Sequence, residues 1–247
     1  MMFFDANARI GNTMHEALPD VAGLIAEMDR NGVDYALVRE TAIDTWGAIT
    51  ANREIAKTIA SDASGRLTGV WCILPSQCDE LPPPDEFLGS MKAARIGALT
   101  LFPFDHRYIP CRLTLGKMID AATERKIPIL LHGMAYHWQE IYDFVKEFPN
   151  IYGIVNAGNK WGSDRMIRPL LEQYPNIKAE LAGYWVPEGI YDMAKKYGAE
   201  RIVYGSGFPG YNHGNGMLQI RHSGLSQEEN ALIAGLNMKN MLEAAEL

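Results

Sequence analysis

Short apolar runs alternate with amphipathic stretches from one end of the 247-residue chain to the other. The runs at 3–9, 34–39, 67–74, 96–102, 127–132, 151–155, 177–181 and 201–205 read as strands. The stretches near 19–31, 48–62, 84–93, 112–125, 137–147, 162–173, 187–197 and 226–243 read as helices. Ile55, Ile59 and Ala60, for example, fall on one helical face with charged residues opposite. Pro19, Pro84 and Pro187 suit helix starts, where a missing N–H costs nothing, and Gly32 and Gly198 stand where C-terminal caps stand. Eight consecutive strand-then-helix units in this length predict an α/β protein folded as a single (β/α)8 TIM barrel, with 1–247 as one domain. A doubly wound open sheet is the competing architecture, and the lack of a dinucleotide glycine motif counts against it.

The first run carries the most chemistry. Residues two apart on a strand share a face, so Asp5, Asn7 and Arg9 are expected on one side and Phe4, Ala6, Ala8 and Ile10 on the other. The polar side must meet a cavity or water.

Composition narrows the function classes. A hydrophobic content of 47% with 21% charged residues excludes a disordered chain. A net charge of −7 without a basic stripe argues against nucleic acid and anionic membrane surfaces as partners. No apolar run reaches bilayer length, and no basic segment followed by an apolar stretch opens the chain. Cys72, Cys78 and Cys111 form no CxxC pair, and a reducing cytoplasm is the expected location. No serine-nucleophile elbow or phosphate-binding loop is present.

Working residues of such a barrel sit at the C-terminal ends of strands and in the loops beyond them. Those ends hold Asn7 and Arg9; Arg39-Glu40; Asp105-His106-Arg107; His132-Gly133; Asn156-Ala157-Gly158 with Lys160 and Trp161; Glu180; and Gly205-Ser206-Gly207-Phe208-Pro209, with His213 soon after. In this order and spacing they resemble the amidohydrolase superfamily, specifically its compact branch of metal-dependent hydrolases and decarboxylases. That family opens with Asp-x-His-x-His-x-Gly and has a histidine after strand 5. It has a His-x-Gly pattern after strand 6 and Gly-Ser-Asp-x-Pro after strand 8. Asp5, Gly11, His132, Gly158, Gly205, Ser206 and Pro209 match, as do the Asn52-Arg53-Glu54 helix start and Asn237 ahead of Met241-Leu242.

The departures fall on the metal ligands that the resemblance implies. Asn7 and Arg9 replace both first-strand histidines, Asn156 the strand 6 histidine and Gly207 the strand 8 aspartate. Only His132 survives at those positions. One imidazole with neutral amides does not hold zinc, and a guanidinium at position 9 repels it. The aspartate that takes the proton from the attacking water in the family is gone as well.

The substitutions also change the sign of the pocket. A small anionic substrate, most simply a carboxylate gripped by Arg9, is the expected ligand. Asn7, Asn156, Lys160, Ser206 and His106 are the further binding candidates, with the Gly205-Ser206-Gly207 amides as an anion nest. The competing reading has Arg9 filling the old metal volume and pairing with Asp5 or Glu180. His132 is the first candidate for acid–base catalysis, because imidazole titrates near neutrality. His213, on a glycine-rich and mobile-looking loop, is second, Asp105 with His106 third, and Glu180 the orienting carboxylate. Trp138, Trp161, Tyr184 and Trp185 are candidate pocket walls, and Tyr184-Trp185 are equally candidate interface residues of a homo-oligomer; His15, His137 and His222 look solvated.

Three functions follow. The first is a hydrolase or lyase of the superfamily acting on a small carboxylated substrate, with no cofactor. The second is a non-catalytic barrel that binds an anion or a protein partner. The third keeps a divalent metal such as zinc on a rearranged set of Asp5, His132, Glu180 and a loop histidine.

Overall fold

All eight expected strands form in the computed structural model, which describes residues 1–11, 18–135, 137–158 and 162–247. They are β1 (Phe4–Ile10), β2 (Tyr35–Glu40), β3 (Leu67–Cys72), β4 (Ile96–Thr100), β5 (Ile129–Leu130), β6 (Gly153–Asn156), β7 (Lys178–Glu180) and β8 (Ile202–Val203). Each pairs in parallel with the next, in sequence order. Backbone bonds join the two ends of the sheet: Ala6 donates to Tyr204 at 2.9 Å, Gly207 to Asn7 at 3.0 Å and Arg9 to Phe208 at 3.0 Å. The architecture is a (β/α)8 barrel, and the open-sheet alternative falls away.

Two apolar layers hold it. An inner cluster takes Phe4, Ala6, Leu37, Val70, Ala98, Leu130, Ile154 and Val203 from the strands, closed at the bottom by Met238 and Met241. An outer cluster, with Ala8, Ile10, Ala36 and Val38 from the first two strands, packs against helix residues such as Leu24, Met28, Ile55 and Ile59. Helix ends follow local chemistry. The Asp20 carboxylate accepts from Gly23 N at 2.9 Å to start Val21–Asn31, and Gly32 closes that helix in the left-handed conformation.

The single-face expectation for β1 fails. Its register with β2 shifts between Asp5 and Ala8, as a β-bulge does. Side chains alternate with a period of two, so one extra residue exchanges inside for outside. Phe4 and Ala6 therefore belong to the inner cluster, while Ala8 and Ile10 belong to the outer one. Asp5 is separated from Asn7 and Arg9 by the same shift.

Two helical expectations are also corrected. The stretch 226–243 is not one regular helix: it runs as Gln227–Ala231, a wider π turn at Leu232–Leu236, and Asn237–Ala244. The π turn aims Ile233 O at Tyr204 N, 2.9 Å away, and Asn237 Nδ2 donates to Ala199 O and Ile202 O at 2.8 and 2.7 Å. These bonds tie the closing helix to β8. The glycine-rich stretch after β8, expected as a loop, forms the helix His213–Arg221, started by the Asn212 side chain, which accepts from Gly214 N.

Candidate active site at the barrel mouth

Two buried carboxylates organise the C-terminal end of the barrel. Asp5 is fully buried, accepting from Asn7 N at 2.9 Å, from Ser206 N at 2.7 Å and from the Ser206 hydroxyl. His213, also fully buried, brings Nε2 to 3.3 Å from Asp5 Oδ2. Burial alone would raise the Asp5 pKa. The close approach and charge of His213, with the two Ser206 donors, outweigh it and hold the group below the usual carboxylate range.

Glu180, the second, is likewise fully buried. It accepts from Asn7 Nδ2 at 3.1 Å, Asn156 Nδ2 at 2.7 Å and Ala182 N. His132 Nε2 stands 3.4 Å from the same carboxylate. Glu180 and Asn156 are register partners on β7 and β6, which explains why their side chains meet. Asn156 Nδ2 also reaches Ala182 O at 3.0 Å, so two acceptors fix the orientation of its amide.

Above these pairs lies a cavity of about 140 Å³ bordered by Asn7, Arg9, Arg39, His132, Asn156 and Tyr211. Its volume is close to the roughly 150 Å³ that suffices for benzene in a protein core. Arg9 and Arg39 come from β1 and β2, and His132 and Asn156 from the ends of β5 and β6 across the eight-strand circle. The Arg9 head lies inside the mouth, with Nη2 3.1 Å from where a Cβ on Gly210 would stand. Among the described residues no carboxylate forms an ion pair with Arg9. The internal pairing with Asp5 or Glu180 is therefore not adopted, because both carboxylates are engaged elsewhere.

The remaining candidates divide. Asn7, Arg9, Asn156 and His132 are brought together. Ser206 is corrected: its N–H and hydroxyl both serve Asp5, and Gly207 N bonds Asn7 O, so these amides close the barrel instead of forming an anion nest. His213 is corrected from a loop position to the buried first residue of a helix. His106 places Nε2 2.8 Å from Ile43 O and Nδ1 3.9 Å from Cys72 Sγ, away from the lining of this cavity. Burial pushes the Cys72 thiol up, which disfavours the thiolate form. Lys160, Trp161 and His15 lie outside the described residues. Tyr184 is buried and donates to Asp164 at 2.7 Å, Trp138 borders a different small cavity, and Trp185 is exposed beside a separate cleft. Arg39 and Tyr211, not among the binding candidates drawn from the sequence, also line the mouth; a strand-end position is the one signal Arg39 carries in the sequence.

Among the described residues, the side chains at the ligand positions that the resemblance implies do not fit a divalent cation. The positions that resemblance makes ligands hold an amide and a guanidinium on β1 and an amide on β6. Among the described residues no three His, Cys, Asp or Glu side chains converge. The rearranged set is split into two separate pairs, Asp5 with His213 and Glu180 with His132. Position 207 is fixed by backbone geometry: Gly207 has φ +72°, and a Cβ there would lie 2.8 Å from the Tyr211 ring. Restoring the aspartate as Gly207→Asp is expected to cost about 1–3 kcal/mol, read as a lowered urea midpoint. An unchanged midpoint would show that the turn tolerates a side chain.

No protein-family model and no curated protein sequence matches the chain. Solved structures do match in shape along essentially the whole length. A TIM-barrel protein from Bordetella bronchiseptica has 14% identity and a TM-score of 0.73, with 100% of both chains covered. A dihydroxybenzoic acid decarboxylase from a Polaromonas species, with bound manganese and the inhibitor 2-nitroresorcinol, has 13% identity and a TM-score of 0.74 over 98% of this chain and 97% of that one. A probable 2-pyrone-4,6-dicarboxylic acid hydrolase from Acinetobacter baumannii, with citric acid bound, has 14% identity and a TM-score of 0.66 over 98% and 100%. What the chain shares with these proteins is the TIM-barrel fold.

Proposed function

We propose that this chain is a lyase or hydrolase of the amidohydrolase superfamily that takes a small, ring-sized carboxylate at the barrel mouth and works without the usual divalent metal. The observation that carries this reading is one cavity of ring size bordered by both the Arg9 guanidinium and the His132 imidazole. A guanidinium fork matches a carboxylate in two-pronged fashion. His132 is nearly buried, and neither ring nitrogen has a well-formed hydrogen bond in the structure. An imidazole held beside Glu180 at the border of the cavity is the group to deliver or accept one proton there. In this scheme Arg9 orients the acid, Asn7 and Asn156 hold Glu180, and Glu180 positions His132. The likeness in fold to a decarboxylase and a hydrolase named for carboxylated rings supports the substrate class.

The test is turnover of a panel of hydroxybenzoates and pyrone carboxylates, read as CO2 release and ring opening, with elemental analysis of protein purified without chelators. Turnover by metal-free protein that vanishes in Arg9→Ala is the expected result. Stoichiometric zinc or manganese would end the metal-independent part of the reading. The fixed glycine at 207 favours one alternative, an anion-binding barrel without catalysis, because it leaves no base at that place. Binding that depends on Arg9, with no turnover of any acid, would select that alternative.

A further inference from the structure

We infer that Asn7 is the specificity-determining acceptor of the mouth, and that the ring acid bound there carries an O–H or N–H donor set apart from its carboxylate. The inference rests on the carboxylate reading above and narrows it. Asn7 is pinned on three sides. Its N–H donates to Asp5 Oδ1 at 2.9 Å, its carbonyl accepts from Gly207 N at 3.0 Å, and its Nδ2 donates to Glu180 Oε2 at 3.1 Å. A carboxylate presents acceptors only, so the amide nitrogen turns to Glu180 and the amide oxygen away from it. Asn156 Nδ2 donates to the same Glu180 oxygen at 2.7 Å and steadies it.

Oδ1 is the hydrogen-bonding atom of Asn7 left over. The buried side-chain polar atoms without a partner include the nitrogens of His132 and His213 but not this oxygen, and among the described residues nothing donates to it. It therefore opens on the mouth, whose cavity Asn7 and Arg9 both border. Asn156, the other amide there, is committed: Nδ2 meets Glu180 and Ala182 O, and Oδ1 accepts from Gly158 N at 3.3 Å. Arg39 borders the cavity too but has interactions of its own, and the match does not depend on it. Arg9 offers donors and Asn7 Oδ1 an acceptor, so together they read an anion and a donor on one ligand. Two residues along a strand advance about 6.6 Å, which places the donor meta or para to the acid. An ortho hydroxyl turns to its own carboxylate instead.

Calorimetric titration of the whole protein tests this, using benzoate and its hydroxy, amino and methoxy derivatives at positions 3 and 4. The proteins are wild type, Asn7→Ala, Asn156→Ala and Arg9→Ala, with circular dichroism as the check of each fold. A methoxy group keeps the oxygen and loses the donor. Wild type is expected to bind at least one hydroxy- or aminobenzoate about fivefold more tightly than benzoate and the matching methoxybenzoate, as one hydrogen bond allows. Preference for the hydroxy series identifies an O–H donor, and preference for the amino series an N–H donor. Asn7→Ala is expected to erase the preference, and Asn156→Ala, which removes the other amide from Glu180, to keep it. Absence of the preference in wild type overturns the acceptor role whether or not the variants fold. So does a preference that survives Asn7→Ala or disappears equally in Asn156→Ala. These results leave the carboxylate site standing so long as Arg9→Ala loses benzoate. Acids that do not bind, or that bind Arg9→Ala as well as wild type, sink the carboxylate reading itself.

Discussion

Asp5→Ala is expected to lower the unfolding free energy by about 3–5 kcal/mol, the largest stability loss available at the barrel mouth. The carboxylate terminates bonds from Asn7 N, Ser206 N and the Ser206 hydroxyl, and faces His213. Removing it strands these donors in a fully buried place, where each unmet group costs about 1–3 kcal/mol. The two Ser206 donors also join β1 to the segment after β8, so the barrel seam is what weakens. Urea denaturation reads the loss as a lowered midpoint. A pH series supplies a second readout. The folded pKa of Asp5 lies below the unfolded one, so its contribution is fully present above about pH 4 and is lost as pH falls through the folded value. The acid limb of the stability profile is expected to flatten in Asp5→Asn. An unfolding free energy within about 0.5 kcal/mol of wild type in Asp5→Ala would refute the account.

The second large effect falls on turnover. His132→Ala is expected to lower kcat by about 10²–10⁴-fold, the usual span for a positioned acid–base group. Substrate affinity should move little, since Arg9 holds the carboxylate. Glu180→Gln keeps the shape and two acceptor–donor contacts but removes the charge facing His132, 3.4 Å away. As a positioning residue it is expected to displace the pH profile of kcat more than its maximum. If His132→Ala matched wild type in kcat on an accepted substrate, the proton carrier would lie elsewhere in the mouth.

Much of the architecture was legible because barrel strands are buried on both faces and read as plain apolar runs, as at Ile96–Thr100 and Ile129–Leu130. The helix His213–Arg221 escaped notice because Gly214 and Gly216 sit in its first turn and its buried face is thin, reduced to His213, Met217 and Ile220. The bulge in β1 escaped for a different reason. An extra residue leaves no mark on composition, and only pairing with β2 reveals it. Arg39 carried no distinguishing signal beside Glu40. Its place at the mouth follows from pairing with Arg9, which is a property of two strands and not of either alone. Ser206 differs: its motif is visible in the sequence, but its bonds to Asp5 across the seam look the same there as a ligand contact.

The shifted register of β1 gives its two halves opposite codes. Side chains at 7 and 9 can be exchanged for other polar groups without touching the stack that Phe4 and Ala6 form with the other strands. Loss of a single residue between 5 and 8 would instead rotate the guanidinium into the helical shell and turn Ile10 toward the opening. For this barrel, deletion rather than replacement is the short path to a sealed mouth.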